Sequence, residues 1–317
     1  MITETGPAAP ADPDAKTFVF VHGGAHGAWA FERVTSLLVK GGHHVATQDL
    51  PGHGLNARLP RSYVARPLDP QGFATEPSPL AHVTLRDYCD QVTGTIRRLA
   101  ELMPHRRIVL LGHSMAGLIL NQVGETVPEL IDRLVYLSAW MIADGTSFGD
   151  YMAAPEFSTG LIPTVLLADP AVVGALRMDF RSADPDYRAR VKAAFGADVD
   201  DRDWDAVTHL LTPDTPIGPL AERVTITPDR WGRIPRTYIS CTDDRAVPPA
   251  AQRRFIAEAD KHTPDNPTDV RELPTGHSPF VSQPERLAEV LLTLGRFTGG
   301  AAGHRRATTE YFVKEKP

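Results

Sequence analysis

The sequence predicts an α/β fold: a mostly parallel, doubly wound sheet with a helical cap inserted between two of its strands. Three observations predict it. Short apolar runs rich in branched residues recur at 17–22, 43–48, 107–111, 131–139, 234–241 and 270–273. Stretches with apolar residues at helical spacing, 29–40, 84–103, 118–123, 249–260 and 284–297, follow them in turn. The alternation breaks only over 141–232, which is rich in Asp, Pro, Met and aromatic residues and reads as an insertion, not as sheet. A cap placed there lies above the C-terminal ends of the strands, where open α/β sheets bind ligands.

The chain has 317 residues, which suits one large α/β domain or two small ones, and 42% hydrophobic content supports a substantial core. Residues 1–16 are polar, acidic and rich in Pro and Ala, so a disordered leader is expected and not a signal peptide. The strand at 17–22 runs into a glycine-rich turn, Gly23-Gly24-Ala25-His26-Gly27-Ala28-Trp29. The helix that follows stops at Gly41-Gly42, a C-cap signal. After the second strand, Asp49-Leu50-Pro51-Gly52-His53-Gly54 is a turn cluster. Residues 55–82 hold five prolines and read as a loop long enough to be functional or mobile. In the helix at 84–103, Leu85, Tyr88, Val92, Ile96 and Leu99 share one face, and Thr84 with Asp87 makes a capping box. The expected division is a core of 17–140 and 233–298, a cap of 141–232 with short helical pieces such as 185–195, and a flexible tail of 299–317.

Composition excludes several functions. The net charge of -6 is spread along the chain, which argues against nucleic acid or an anionic membrane as partner. No apolar stretch reaches the length of a membrane span. Cys89 and Cys241 form no zinc-type spacing and read as buried thiols in a reducing compartment. No set of Cys, His, Asp and Glu has metal-ligand spacing, so neither metal nor cofactor is expected. These readings describe a soluble cytoplasmic protein, a monomer or homodimer, whose partner is a small molecule.

The chemistry centres on Gly112-His113-Ser114-Met115-Ala116-Gly117, a serine among small residues between a buried strand and a helix. Strand, sharp turn and helix with serine at the apex is a nucleophile elbow of the G-x-S-x-G type. It lifts the hydroxyl clear of the sheet, at a helix N-terminus where backbone N–H groups can stabilise an oxyanion. A second serine pattern, Gly145-Thr146-Ser147-Phe148-Gly149, lacks a clean strand before it and an amphipathic helix after it, and Ser147 reads as a loop serine.

A serine nucleophile needs a base, an acid that orients the base, and oxyanion donors. Past the strand at 234–241, Asp244 stands three residues before Val247-Pro248 and is favoured as the acid over Asp243; Asp144, just beyond the strand at 131–139, is a third candidate. His277, in the loop after the last strand, is the candidate base. Met115 N–H and Gly24 N–H are the candidate oxyanion donors. The glycine turn at 23–27 lacks the spacing of a phosphate-binding loop. His22 and His26 read as hydrogen-bonding groups of that turn, and His113 as a residue that packs or shapes the pocket.

The stretches His22 to Trp29, Asp49 to Gly54, Gly112 to Gly117, Tyr238 to Asp244 and Gly276-His277-Ser278 together resemble the α/β-hydrolase superfamily. The branch is that of plant methyl-salicylate and methyl-jasmonate esterases, hydroxynitrile lyases and bacterial pyrethroid-type carboxylesterases. The resemblance covers about 17–297 and fades across 55–82 and most of 141–232. It implies Ser114 as nucleophile, Asp244 as acid, His277 as base, and Gly24 and Met115 as oxyanion donors. Hydroxynitrile lyases of this branch carry Thr at the position of Gly23 and Lys directly after the catalytic His, where this chain has Ser278. Without that cation, ester hydrolysis is the expected chemistry. The substrate is expected to be a hydrophobic or aromatic ester or lactone, under a wall drawn from Trp140, Met141, Phe148 and Met152, with Phe157, Leu161, Leu166 and Leu167 further candidates. Two other readings stay open: a lyase or cyclase of secondary metabolism on the same fold, and a non-catalytic small-molecule binding protein.

Overall fold

The computed structural model describes residues 15–104 and 107–294. The expected tail and most of the expected leader lie outside them. Six strands form one sheet: β1 (Lys16–Val21), β2 (His44–Thr47), β3 (Arg107–His113), β4 (Arg133–Leu137), β7 (Arg236–Cys241) and β8 (Asp269–Leu273). They lie in the order β2-β1-β3-β4-β7-β8, and every neighbouring pair is parallel. All six coincide with apolar runs in the sequence.

Alternation along the strands explains the two covered faces. Val19, Val21, Leu110, Leu134, Tyr136 and Tyr238 pack into one buried cluster with the helices Leu85–Leu102, Ala116–Thr126 and Pro249–His262. Phe18, Phe20, Val109, Leu111, Val135, Leu137 and Ile239 pack into another with Glu32–Lys40 and Pro284–Thr293. The capping box forms: Thr84 N–H donates to Asp87 Oδ2 (2.8 Å) and Asp87 N–H to Thr84 Oγ1 (3.2 Å).

Two expectations need correction. The segment 141–232 is not purely helical. Besides Pro185–Phe195 and Asp201–Leu210 it holds an antiparallel strand pair, β5 (Ala175–Arg177) with β6 (Asp214–Pro216). Three residues per strand, with Arg, Asp and Pro among them, leave no period-2 signal to read. The stretch 55–82 is not structureless: it contains the short helices Arg61–Val64 and Pro70–Thr75. It is stapled to the inserted segment, since Arg177 donates to the Phe73 and Glu76 carbonyls (2.7 and 2.6 Å) and Ser78 N–H to the Val173 carbonyl (2.7 Å).

Candidate active site

At the end of β3, Ser114 adopts φ +54°, the left-handed region that L-residues rarely occupy. Its N–H donates to the Leu137 carbonyl (3.3 Å), and its own carbonyl accepts from Gly117 N–H (3.0 Å) and Trp140 N–H (3.1 Å). These bonds from the end of β4 and the start of the next helix hold the strained turn in place. Close approach explains the small residues. A Cβ at Gly112 would lie 2.5 Å from Leu120 Cδ1, and one at Gly117 would lie 2.5 Å from Trp140 N. The elbow departs from the strict glycine pattern: Ala116 stands two residues after the serine, and Gly117 follows it. Ser114 is half-buried between buried neighbours.

Asp244 and His277 meet beneath it. His277 Nδ1–H donates to Asp244 Oδ2 (2.6 Å), and both side chains are sealed from solvent. The remaining acceptor sites of the carboxylate are also used. Ala246 and Val247 N–H donate to Oδ1 (2.7 and 2.9 Å), and the Ser138 hydroxyl donates to Oδ2. Two backbone donors two and three residues on explain why Asp244, and not Asp243, faces inward: the turn before Val247-Pro248 closes on its carboxylate. Asp243 is exposed. Asp144 is also exposed and accepts from Ile226 N–H (2.9 Å), away from His277.

The turn after β1 is held by neutral histidines. His22 Nε2 accepts from Leu50 N–H (3.0 Å), so its Nδ1 carries the proton and donates to the Gly23 carbonyl (2.8 Å). The trans peptide then points Gly24 N–H to the opposite side. His26 Nδ1–H donates to the Gly24 carbonyl (2.7 Å). Burial lowers the pKa of His22 to about 4 and that of His26 to about 3, each against its ordinary 6.5. Burial first, then the neighbouring His277 and His26, push His113 well below that value too. His113 Nε2–H donates to the His277 carbonyl (2.9 Å), with the two rings 4.5 Å apart. His113 thus shapes the loop that carries His277. Among the described residues, neither Gly24 N–H nor Met115 N–H has an intramolecular acceptor.

Ser114, His277, Gly24 and Met115 converge on one cavity of about 40 Å³. The rest of its lining is Trp140, Phe148, Ile162, Leu176, Met178, Phe195, Thr215 and Leu220. Among the described residues that lining carries no Lys or Arg. Ligand pockets usually reach roughly 300 Å³ or more, so the lining must shift to admit an ester. A cleft of about 660 Å³, lined in part by the paired Arg33 and Asp203, is larger, but holds none of these groups. No described Ser114 hydrogen bond to His277 closes the set, as is common before substrate binds.

Of the expected wall, Trp140 and Phe148 line the cavity, their rings 4.2 Å apart. Met141 and Met152 do not. Met141 is buried in the core, one residue on from Trp140, and Met152 packs from the far end of its short helix. Phe157 instead stacks behind Trp140 (4.7 Å), while Leu161, Leu166 and Leu167 are absent from the wall. Ser147 ends a loop, as expected, at the N-cap of Phe148–Met152, its hydroxyl donating to Asp150 Oδ2 (3.0 Å).

Sequence reasoning missed Ser138 and most of the wall. Ser138 had one signal, a polar residue directly past the buried run of β4. Leu176, Met178, Phe195 and Thr215 had none, because they come from separate short elements of the insertion. Among the described residues no group of three or more His, Cys, Asp or Glu side chains could hold a metal ion, and no helix is long and apolar enough to cross a membrane.

The family model described as "Alpha/beta hydrolase family" matches residues 18–290. The chain is similar to polyneuridine aldehyde esterase of Rauvolfia serpentina, 28% identical over 292 residues, covering 88% of this chain and 95% of the relative. It is similar to Methylesterase 1 of Arabidopsis thaliana, 26% identical over 284 residues, covering 87% and 95%. A solved pyrethroid hydrolase from Sphingobium faniae superposes with TM-score 0.65 at 23% identity, over 87% of this chain and 96% of that one. At that identity the superposition speaks to the fold alone.

Proposed function

This chain belongs to the alpha/beta hydrolase family, and within it we propose a serine carboxylic-ester hydrolase acting through an acyl-enzyme on a hydrophobic or aromatic small-molecule ester or lactone. One observation carries the reading: a serine in a strained elbow shares a cavity with an Asp-paired histidine and two unbonded backbone N–H groups.

Ser114 Oγ attacks the ester carbonyl carbon while His277 Nε2 takes its proton. Asp244 keeps the Nδ1–H tautomer and stabilises the imidazolium. Gly24 and Met115 N–H receive the oxyanion. Collapse breaks the bond to the leaving alkoxide, which takes the proton from His277. Water then repeats the sequence on the acyl-enzyme, releasing the acid and restoring Ser114.

The similarity to polyneuridine aldehyde esterase and to a methylesterase supports ester chemistry. The apolar lining supports a hydrophobic substrate. Cyanide release has no cation to support it: Ser278 follows His277 and donates to the Phe195 carbonyl (2.6 Å). A Cβ at Gly23 would lie 2.7 Å from Ser114 Cβ, so a side chain there crowds the nucleophile. Two buried thiols, Cys89 and Cys241, accord with action in the reducing cytoplasm. The test is fluorophosphonate labelling of Ser114 together with a panel of p-nitrophenyl and aryl esters. Labelling with turnover supports the reading. Neither labelling nor turnover overturns it in favour of a binding protein.

A further inference from the structure

Strand β6 lies across the turn that carries Gly24. Thr212 N–H and the Thr212 hydroxyl both donate to the Ala25 carbonyl (2.9 and 3.2 Å). The Thr212 hydroxyl is also bonded to His53 Nδ1 (3.1 Å), whose Nε2 meets the Tyr88 hydroxyl (3.1 Å). Three residues later Thr215 arrives against Gly24: a Cβ at Gly24 would lie 2.8 Å from Thr215 Oγ1 and 3.0 Å from Thr215 Cγ2.

The strand pair orients this side chain. Leu176 is opposite Thr215 in the register, and both line the cavity. The adjacent pair, Arg177 and Asp214, alternates to the other side, as strand geometry requires. There Arg177 Nε and Nη2 donate to the two Asp214 oxygens (2.7 and 2.8 Å), with both side chains sealed from solvent. With Arg177 also bonded to the Phe73 and Glu76 carbonyls, the pair has little freedom to rotate.

Thr215 is only 3% exposed, and among the described residues its hydroxyl has no hydrogen-bond partner. Apart from Trp140 with its indole N–H, the polar side chains in the cavity lining are Ser114, His277 and Thr215. The first two are accounted for by the proposed chemistry. A hydroxyl at a cavity wall, beside an oxyanion donor and with no partner among the described residues, is free to donate to a group that enters the cavity.

We propose that the Thr215 hydroxyl is a third oxyanion donor, supplied by the inserted segment to the hole that Gly24 and Met115 begin. The proposal rests on the ester-hydrolysis reading. Thr215 forms no bond to carbon and gives up no proton. It donates a hydrogen bond to the carbonyl oxygen, most strongly as that oxygen gains charge on attack by Ser114. The hole is then complete only while β6 is docked on the turn.

The test uses the full chain with Thr215→Val, which removes the hydroxyl at nearly constant shape, and Thr215→Ser, which restores it. Thermal midpoints establish that both fold. The readouts are kcat and KM for an aryl ester and the affinity of an aryl trifluoromethyl ketone, whose adduct with Ser114 carries an oxyanion. Loss of an oxyanion donor should lower kcat in Thr215→Val by about tenfold or more, weaken the ketone by a similar factor, and leave KM within about twofold. Thr215→Ser should recover most of both. A smaller fall in kcat, a loss carried by KM, or no recovery in the serine variant overturns the proposal and leaves Thr215 as a packing residue. Fluorophosphonate labelling of the unsubstituted chain separates the two readings. A labelled, active protein indifferent to Thr215→Val defeats only the third donor, whereas an unlabelled, inactive protein defeats ester hydrolysis with it.

Discussion

Two stretches of this chain set a serine among small residues, and they fold in opposite ways. Gly145-Thr146-Ser147-Phe148-Gly149 matches the elbow pattern letter for letter; Gly112 to Gly117 departs from it at Ala116. Yet Ser114 is the one in the left-handed region, at φ +54°, while Ser147 has an ordinary extended backbone, φ -124° and ψ 167°. The glycines differ in the same sense. The chain of Trp140 passes directly over Gly117, whereas a Cβ at Gly149 would meet nothing nearer than Ser147 Oγ at 3.8 Å. An elbow is therefore defined by the buried strand that feeds it and the backbone that closes over it. Glycine spacing is a consequence of that crowding and can match by chance where no crowding exists.

The comparison breaks outright if the serines are interchangeable. Ser114→Ala should lower kcat for ester hydrolysis by about 10⁵-fold or more, as for other triad nucleophiles. Ser147→Ala should keep kcat/KM within about twofold, since its hydroxyl serves only Asp150. Parallel assays on one aryl ester decide this, and the reverse result moves the nucleophile to Ser147. Next in size, Asp244→Asn should cost about 10⁴-fold in kcat by favouring the wrong imidazole tautomer. A loss below tenfold in the same assay would remove Asp244 from the machinery.

Glycine substitutions sharpen the contrast on stability. Gly117→Ala drives a Cβ into the Trp140 backbone and should destabilise by about 3 kcal/mol, as overpacking of a rigid site does. Gly149→Ala, exposed on a short helix, should shift stability by under about 1 kcal/mol, towards greater stability. Urea melts of equal effect would mean that crowding does not separate the two turns.

The surroundings also titrate differently. His22 and His26 have folded pKa values of about 4 and about 3, below the 6.5 of the unfolded chain. Between these values the unfolded chain binds more protons, so their contribution is whole above pH 6.5 and is lost as pH falls towards 4. Thermal midpoints should drop over that window, and His22→Gln should flatten the drop. The exposed Asp150 carboxylate beside Ser147 is held below its ordinary 3.8 by hydrogen bonds from Ser147, so its contribution is lost only at lower pH. Asp150→Asn should leave the slope above pH 5 unchanged. The smallest effect is that of Ser147→Ala on stability, a loss of about 1 kcal/mol or less for an N-cap position, read by the same melts.

The sheet was legible because its four central strands, β1, β3, β4 and β7, are buried on both faces and so read as continuous apolar runs. Thr84 was legible as a cap because its partner Asp87 is three residues away. Asp244 was separable from Asp243 because the two N–H groups that bind it belong to Ala246 and Val247, inside one turn. Ser138 was less so: its acceptor Asp244 is 106 residues further on. Met141 and Met152 were misplaced because the insertion has no long period to say which way a side chain faces.

By itself the sequence determined the order of the strands along the chain, the buried face of the helix Leu85–Leu102, and the residue types at the three strand ends where Ser114, Asp244 and His277 stand. All of these depend on contacts within a turn or on a period of two or 3.6 residues, which a linear pattern records. Tertiary structure alone decided what holds Ser114 in its strained turn, which wall closes the cavity, and that Thr215 reaches Gly24. Those outcomes depend on Trp140 passing over Gly117, on Arg177 pairing with Asp214, and on Thr212 bonding to Ala25. Such contacts join residues tens to nearly two hundred positions apart, and their energies appear only when the short elements of the insertion pack together.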